Sequence, residues 1–315
     1  MPKLTPLPPS LAGRSFSVAR AAQSGVGPER LRSSDLRQPY RGVRTPLQTF
    51  TTVEQQCAAY SERLLPGQFF SHLTAARLWN LPLPTRFHTD EAIHVATVRP
   101  GQRVRCRGVV AHQLDGRLHA AGRVGAFRVS DPESTWCQLA GILSIDALIV
   151  AGDALVHVPR YFDETAPAPR PYSTLSLLTQ KVDRFRGPGK TRLREALGLV
   201  RVGAASPTET ALRLLIVRSG LPEPTLDAEI RDRTGRFIAW GDLYYPRERV
   251  MVEYDGDHHR TSTSTYEKDQ IRAENIRDTG IRQIRVRMRG LSVDAASTVA
   301  RLRVALASRP LPPVR

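Results

Sequence analysis

Between Leu226 and Asp255 three short runs suited to extended backbone are divided by turns of only a few residues. Leu226 to Arg231 passes through Thr234-Gly235 into Phe237 to Tyr244, and Pro246-Arg247 leads on to Val250 to Asp255. Runs of this length, bounded by Gly- and Pro-bearing turns, predict three strands. Side chains two apart point the same way, so Asp242 shares a face with Trp240 and Tyr244, while Glu253 and Asp255 share one with Met251. If the second and third strands pair as a hairpin, these carboxylates meet.

The third run ends in Glu253-Tyr254-Asp255-Gly256-Asp257-His258-His259, three carboxylates and two histidines within seven residues. Carboxylates a few Å apart cannot all stay ionised unless a cation or a shared proton relieves them, which makes a divalent metal site the leading reading. Asp257 reads as a solvated loop residue, and both imidazoles fall on the loop beyond the strand. No cysteine accompanies the histidines, and they are adjacent rather than four apart, so the spacing does not suit a structural zinc site.

Helical patterns flank the strands. Ser206-Pro207-Thr208-Glu209 opens a helix bearing Leu212, Leu215 and Ile216, with Ser at the cap, Pro in the first position and Glu three residues after the cap. That is a capping box, which gives Glu209 a structural task, although its place on the Leu212/Ile216 face also points it inward. A helix from about Thr265 to Thr279 stops at Gly280, Ile281 to Val286 supplies a fourth strand, and a helix near Val293 to Leu306 follows. The order is α-β-β-β-α-β-α.

A chain of 315 residues suits two domains, and its formal charge of +16 is unevenly spread. Residues 1 to 200 hold 26 Lys and Arg against 15 Asp and Glu, whereas residues 201 to 290 hold 16 against 14. A basic first part beside a nearly neutral, carboxylate-bearing second part fits a protein that grips a polyanion with one and does chemistry with the other. Cys57, Cys106 and Cys137 form no C-x-x-C pair and read as core residues in a reducing cytoplasm. Met1 to Val18 lacks the apolar stretch of a secretion signal, and no run of eighteen apolar residues suggests a membrane span. The expected location is cytoplasmic.

In the first part, residues 1 to 34 read as a flexible arm. Leu36 to Arg44 reads as a short basic wing or strand. Leu64 to Leu81 carries Phe69, Phe70, Leu73, Ala76, Leu78 and Trp79 at helix-like positions, capped by Ser71 or Thr74 and ended by Pro82 and Pro84. Strands are predicted at Ile93 to Val95, Val104 to Val110 and Ala126 to Val129, then helices at Pro132 to Leu143, Ser144 to His157 and Arg192 to Val200. Between Arg99 and Arg128 seven arginines face one acidic residue, Asp115. Arg103, Arg105 and Arg107 lie at the centre of this stretch, which is either a solvated surface or a phosphate-binding one. Gly187-Pro188-Gly189-Lys190-Thr191 lacks the first glycine of a phosphate loop, because Arg184 stands there, and reads as a turn opening a helix.

The element order, with Glu209 on the first helix, Asp242 on the second strand, and Glu253 and Asp255 on the third, resembles the PD-(D/E)XK nuclease superfamily. The closer similarity is to the Vsr-like mismatch endonucleases, whose third strand reads E-x-D-G-x-x-H, here Glu253 to His259. The resemblance covers roughly residues 205 to 308. It implies a restriction-endonuclease-like core with a mixed sheet, and Mg²⁺ (or Mn²⁺) held by Asp242, Glu253, Asp255 and Glu209. Gly241 stands where the superfamily has Pro, and Asp255 where it has the catalytic Lys. The resemblance therefore implies that His259, helped by His258, carries the acid–base work. Asp269 and Arg272, three apart on the following helix, are either a surface ion pair or, in the Vsr-like pattern, place Arg272 as a phosphate contact.

Residues 35 to 160 resemble the AbiEi-type antitoxin region, through Tyr40-Arg41-Gly42-Val43, Phe70 to Ala76 and Val129 to Trp136. That resemblance implies a winged-helix-like segment with a small α+β unit that binds DNA. The expected architecture is thus α/β (α+β): an arm at 1–34, a basic antitoxin-like region at 35–160, a helical linker at 161–204, a Vsr-like endonuclease domain at 205–308 and a tail at 309–315. The expected function is Mg²⁺-dependent DNA cleavage, with DNA gripped by the basic region and a second copy or a toxin-like protein as further partner. The alternatives are a non-catalytic DNA-binding regulator carrying a degenerate nuclease fold, and a structural protein unrelated to nucleic acid.

Overall fold

The structure, a computed structural model, describes residues 5–117, 119–232, 234–256 and 263–308, with side chains described outside 263–269. The chain is mixed α/β and divides into two compact units, Met1–Ala151 with Tyr161–Gly198, and Gly152–Arg160 with Leu199–Arg315. Among the described residues no helix is long and apolar enough to cross a membrane.

The first unit opens with β1 (Phe16–Ser17), α1 (Val18–Gln23) and β2 (Val43–Arg44), the two strands pairing antiparallel. The composition of residues 1–34 predicts a flexible arm. Instead Leu11, Phe16, Ala21, Val26 and Leu31 pack with Leu36 into a small core of their own. These apolar residues lack helical or strand periodicity, which is why the segment looks unstructured in sequence.

Next come α2 (Val53–Ser61), β3 (Gln68–Phe70), α3 (His72–Leu78), β4 (Ile93–Val98), β5 (Val109–Leu114), β6 (Ala121–Val124) and β7 (Phe127–Ser130). They build a five-stranded mixed sheet in the order β5-β4-β3-β7-β6. The single helix expected over Leu64 to Leu81 is in fact β3 followed by α3. Gln68, Phe69 and Phe70 are all buried in the central strand, so no alternation marks them as extended. The strand expected at Val104 to Val110 begins only at Val109, and Arg103 and Arg105 stand in the irregular segment before it. α4 (Pro132–Leu139), α5 (Ile145–Val156, from Gly152 on counted with the second unit), α6 (Leu175–Arg184) and α7 (Lys190–Leu199) complete this part. The 161–204 segment expected as a linker therefore carries two helices that group with the first unit up to Gly198.

The Gly187–Thr191 turn does what a helix opening requires. Gly189 has φ of +80°, and a Cβ there would meet the Ala140 carbonyl at 2.2 Å. Lys190 Nζ donates to the carbonyls of Asp183 and Phe185, 3.0 and 2.6 Å away, so the lysine closes the preceding helix.

The second unit is built from α8 (Pro207–Arg218), β8 (Thr225–Arg231), β9 (Phe237–Tyr245), β10 (Val250–Tyr254), α9 (Thr263–Asp278), β11 (Arg282–Val286), α10 (Met288–Leu291) and α11 (Ala295–Ala307). Its sheet runs β11-β10-β9-β8, antiparallel except for the parallel β10–β11 pair that the α9 crossover permits. Leu212 and Ile216 of α8 and Leu302 and Ala305 of α11 pack with Leu243, Val250, Val252 and Ile284. A second cluster joins Ala228, Ile230, Ala239 and Met251 to Ile276 of α9. Helices thus cover both faces of the four strands, and polar side chains at the sheet end have few places to go.

Candidate functional site

β9 and β10 form the hairpin that the turns predict, with Val250 opposite Tyr245 and Val252 opposite Leu243. One step further along this ladder brings Glu253 level with Asp242. Gly241, just before Asp242, lies against Met251 of β10, where a Cβ would come within 2.8 Å of the sulfur. A larger residue at this position would press on the Met251 thioether.

Asp242 is half-buried, and its Oδ2 accepts a long hydrogen bond of 3.4 Å from the Tyr254 N–H. Burial, then the negative charges of Glu209 and Glu253, push its carboxyl from 3.8 up to about 7. Glu209 on α8 and Glu253 on β10 thus both act on the Asp242 carboxyl through their charge. Glu209 keeps its structural task as well. Its oxygens accept from the Ala205 N–H at 2.8 Å and the Ser206 hydroxyl at 2.9 Å, while its own N–H donates to Ser206 Oγ. Burial raises the Glu209 carboxyl against these hydrogen bonds.

Glu253 is 7% exposed and receives donors on both oxygens. Arg272 of α9 donates to Oε1 and also, at 2.7 Å, to the Trp240 carbonyl, while Gln283 of β11 donates to Oε2. Arg272 therefore faces the carboxylates. Asp255 stands just beyond β10, its N–H bonded to the Val286 carbonyl at 2.8 Å and its Oδ2 3.0 Å from Arg287 Nε. Asp242, Glu253, Tyr254, Asp255, Gly256, Arg272 and Arg285 line a cavity of about 240 Å³. His258, His259 and Asp257 lie outside the described residues, as does the side chain of Asp269.

The sequence reading missed Gln283, Arg285 and Arg287. The signal was present around β11, where the buried Ile284 and Val286 alternate with the polar Gln283, Arg285 and Arg287, marking a second face turned to the cleft.

In the first unit Arg103, Arg105 and Arg107 are all exposed. Arg103 bends back to donate through Nε and NH2 to the Ala111 carbonyl, at 3.2 and 3.0 Å. Arg105 and Arg107 join Arg37, Arg41 and Arg63 around a cavity of about 690 Å³, in which Asp90 and Glu91 are the acidic residues. Glu91 is already paired with Arg77 at 2.6 Å, which leaves the balance of this cavity positive.

No protein-family model, curated protein or solved structure matches the chain.

Proposed function

We propose that the second unit is a metal-dependent endonuclease domain of the Vsr-like PD-(D/E)XK type, cleaving DNA phosphodiester bonds, and that the arginine-lined cavity of the first, antitoxin-like unit binds the DNA backbone. The observation that carries this reading is the meeting of Asp242, Glu253 and Asp255 at one cleft with Arg272 and Arg285, where Glu209 adds its charge to the rise of the Asp242 carboxyl.

The donors, all carboxylate oxygens, suit Mg²⁺ or Mn²⁺ in kind. Asp242, pushed to a pKa near neutrality by burial and by Glu209 and Glu253, gains from a hard cation; as they stand, these carboxylates do not bring three ligand oxygens within the span of one ion, so binding would draw them together. Asp242 and Glu253 are the principal ligands, Asp255 flanks them, and Glu209 acts from the edge because its oxygens also hold the start of α8. Once bound, the ion supplies Lewis-acid stabilisation of charge on the phosphate. Gln283 and Arg272 fix the Glu253 carboxylate, and Arg272 and Arg285 offer positive charge to a phosphate entering the cleft. The acid–base role falls to His259, with His258 beside it in the motif.

A second reading, a DNA-binding regulator with a non-catalytic nuclease fold, is favoured by one observation: donors already occupy both Glu253 oxygens. Cleavage of plasmid and mismatched duplexes with Mg²⁺ or Mn²⁺, comparing the wild type with Asp242→Ala and His259→Ala, separates the two. The endonuclease reading expects both variants to lose at least about 100-fold in rate. Identical behaviour of all three proteins on every substrate, together with salt-sensitive DNA binding, would establish the regulator instead.

A further inference from the structure

A second cluster of metal-ligating side chains stands in the first unit, far in sequence from the carboxylates. His72, His94 and His112 each offer one ring nitrogen, and the three atoms lie within 4.8 Å of one another. They come from neighbouring parts of one sheet. His94 is in β4, His112 in its parallel partner β5, and His72 begins α3 two residues after β3 ends. In the β4–β5 register His94 is opposite Val110 and Ala96 opposite His112, which makes the two histidines diagonal neighbours on one face.

The spacing suits a tetrahedral ion. His94 Nδ1 and His112 Nε2 are 3.0 Å apart, near the roughly 3.3 Å between two nitrogens each about 2.05 Å from one zinc. The His72 ring stacks on that of His112, with centroids 3.6 Å apart and planes inclined by 16°. Ser71 Oγ lies 3.0 Å from His72 Nδ1, which leaves Nε2 as the nitrogen for an ion.

The scaffold is built to hold these rings. His72 sits at φ of 50°, a conformation that few non-glycine residues adopt, and its N–H donates to Gln138 Oε1 at 2.9 Å. The His94 N–H donates to Thr74 Oγ1 at 2.8 Å, and the His94 carbonyl accepts from the Ser71 N–H at 3.0 Å. Burial first, then mutual repulsion, depresses these imidazoles, His72 to about 2 and His112 to about 4. Burial also lowers His94, against the opposing charge of Glu91. All three are therefore neutral at pH 7, the form that ligates metal.

We propose that His72, His94 and His112 form a three-nitrogen site for a borderline transition-metal ion, zinc foremost, with its fourth position open to water or an external ligand. Imidazole sets select zinc, copper or nickel over magnesium, so this site and the carboxylate cleft take different ions. Binding turns one ring out of the His72/His112 stack. It also moves the proton between His94 and His112 to an outward nitrogen, a tautomer change without net proton loss. The proposal does not rest on the nuclease reading.

The test is zinc titration of the metal-free full chain in excess Mg²⁺, with Co²⁺ as a spectroscopic stand-in whose visible bands report four-coordinate geometry. The expected result is about one tightly bound zinc per chain, matching the three-histidine ligand set of open zinc sites. His72→Asn is the first variant, because asparagine tolerates the left-handed backbone there. It and His112→Gln should each weaken binding by at least about 100-fold, and Ser71→Ala by about 10- to 100-fold. Asp242→Asn should leave zinc binding unchanged. Circular dichroism and thermal unfolding identify any variant that fails to fold, and the remaining ones decide. A wild type that takes up no zinc, folded histidine variants that keep wild-type affinity, or loss of binding in Asp242→Asn would overturn the assignment.

Discussion

Arg272 and Glu253 form an ion pair inside the carboxylate cleft, and the same guanidinium nitrogen also holds the Trp240 carbonyl. α9 is thereby tied to two strands at the point where the acidic residues gather. Arg272 also opposes the rise of the Asp242 carboxyl. Arg272→Gln should therefore push the Asp242 pKa above its value of about 7 and lower DNA cleavage by about 10- to 100-fold. Carboxyl-labelled aspartate NMR reads the first effect directly. An Asp242 titration that does not move in the variant would show that Arg272 is no countercharge to the group.

The raised carboxyl also fixes a sign for stability. Between pH 3.8 and about 7 the folded protein holds a proton on Asp242 that the unfolded chain has released. On this group's account, stability is full below pH 3.8 and is lost as pH rises through about 7. Without divalent cations, Asp242→Asn should stabilise the protein more at pH 8 than at pH 5, the difference being on the order of 2 kcal/mol. Thermal unfolding at the two pH values measures the difference. Mg²⁺ should close the gap at pH 8 by stabilising only the wild type. A variant less stable than the wild type at pH 8 without metal would contradict the repulsion among Glu209, Asp242 and Glu253.

The second unit was legible because several constraints agree. Apolar runs of strand length, short turns and a capped helix place β8, β9, β10 and β11 within about one residue of their observed ends, and the same turns bring Asp242 level with Glu253. The first unit was less legible for opposite reasons. β3 is buried throughout and shows no alternation, β6 is made of Ala121-Gly122-Arg123-Val124 with no β-branched residue until its end, and the core around Phe16 lacks a period. His94 and His112 were not distinguishable as partners, because parallel pairing of β4 and β5 is a long-range event that leaves no spacing signal between them. Gln283 escaped because the polar face of a short strand reads as solvent-facing until the crossover helix covers it.

A buried ion pair holds α8 in place. Arg213 is fully buried, and its NH2 donates to Asp153 Oδ2 at 2.9 Å and to the Leu199 carbonyl at 2.8 Å, while NH1 reaches Glu223. Asp153 also accepts from the Arg201 N–H and the Thr210 hydroxyl. Burial nevertheless raises the Asp153 carboxyl, so desolvation outweighs the partner's attraction. Arg213→Met should cost about 3–5 kcal/mol, since it leaves Asp153 charged and buried. Adding Asp153→Leu should recover part of this loss, short of the whole because the Leu199 carbonyl loses its Arg213 donor and the Thr210 hydroxyl keeps only its long bond to the Ser206 carbonyl. Urea unfolding of the single and double variants tests the coupling, and an additive double variant would show that the two residues act independently.

The arginine cavity of the first unit makes a separate prediction about salt. Arg105 and Arg107 line it together with Arg37, Arg41 and Arg63, whereas Arg103 spends its donors on the Ala111 carbonyl. If the cavity binds a phosphate backbone, each contact releases about one counterion, and affinity falls steeply with salt. Arg105→Ala with Arg107→Ala should weaken duplex binding equally for all sequences and flatten the plot of log affinity against log salt by about two. Arg103→Ala should change the slope much less, because its guanidinium is engaged by the Ala111 carbonyl of β5. Fluorescence anisotropy over a salt series separates the cases. A slope that Arg103→Ala reduces as much as the double variant would place the DNA along the outer loop and not in the cavity.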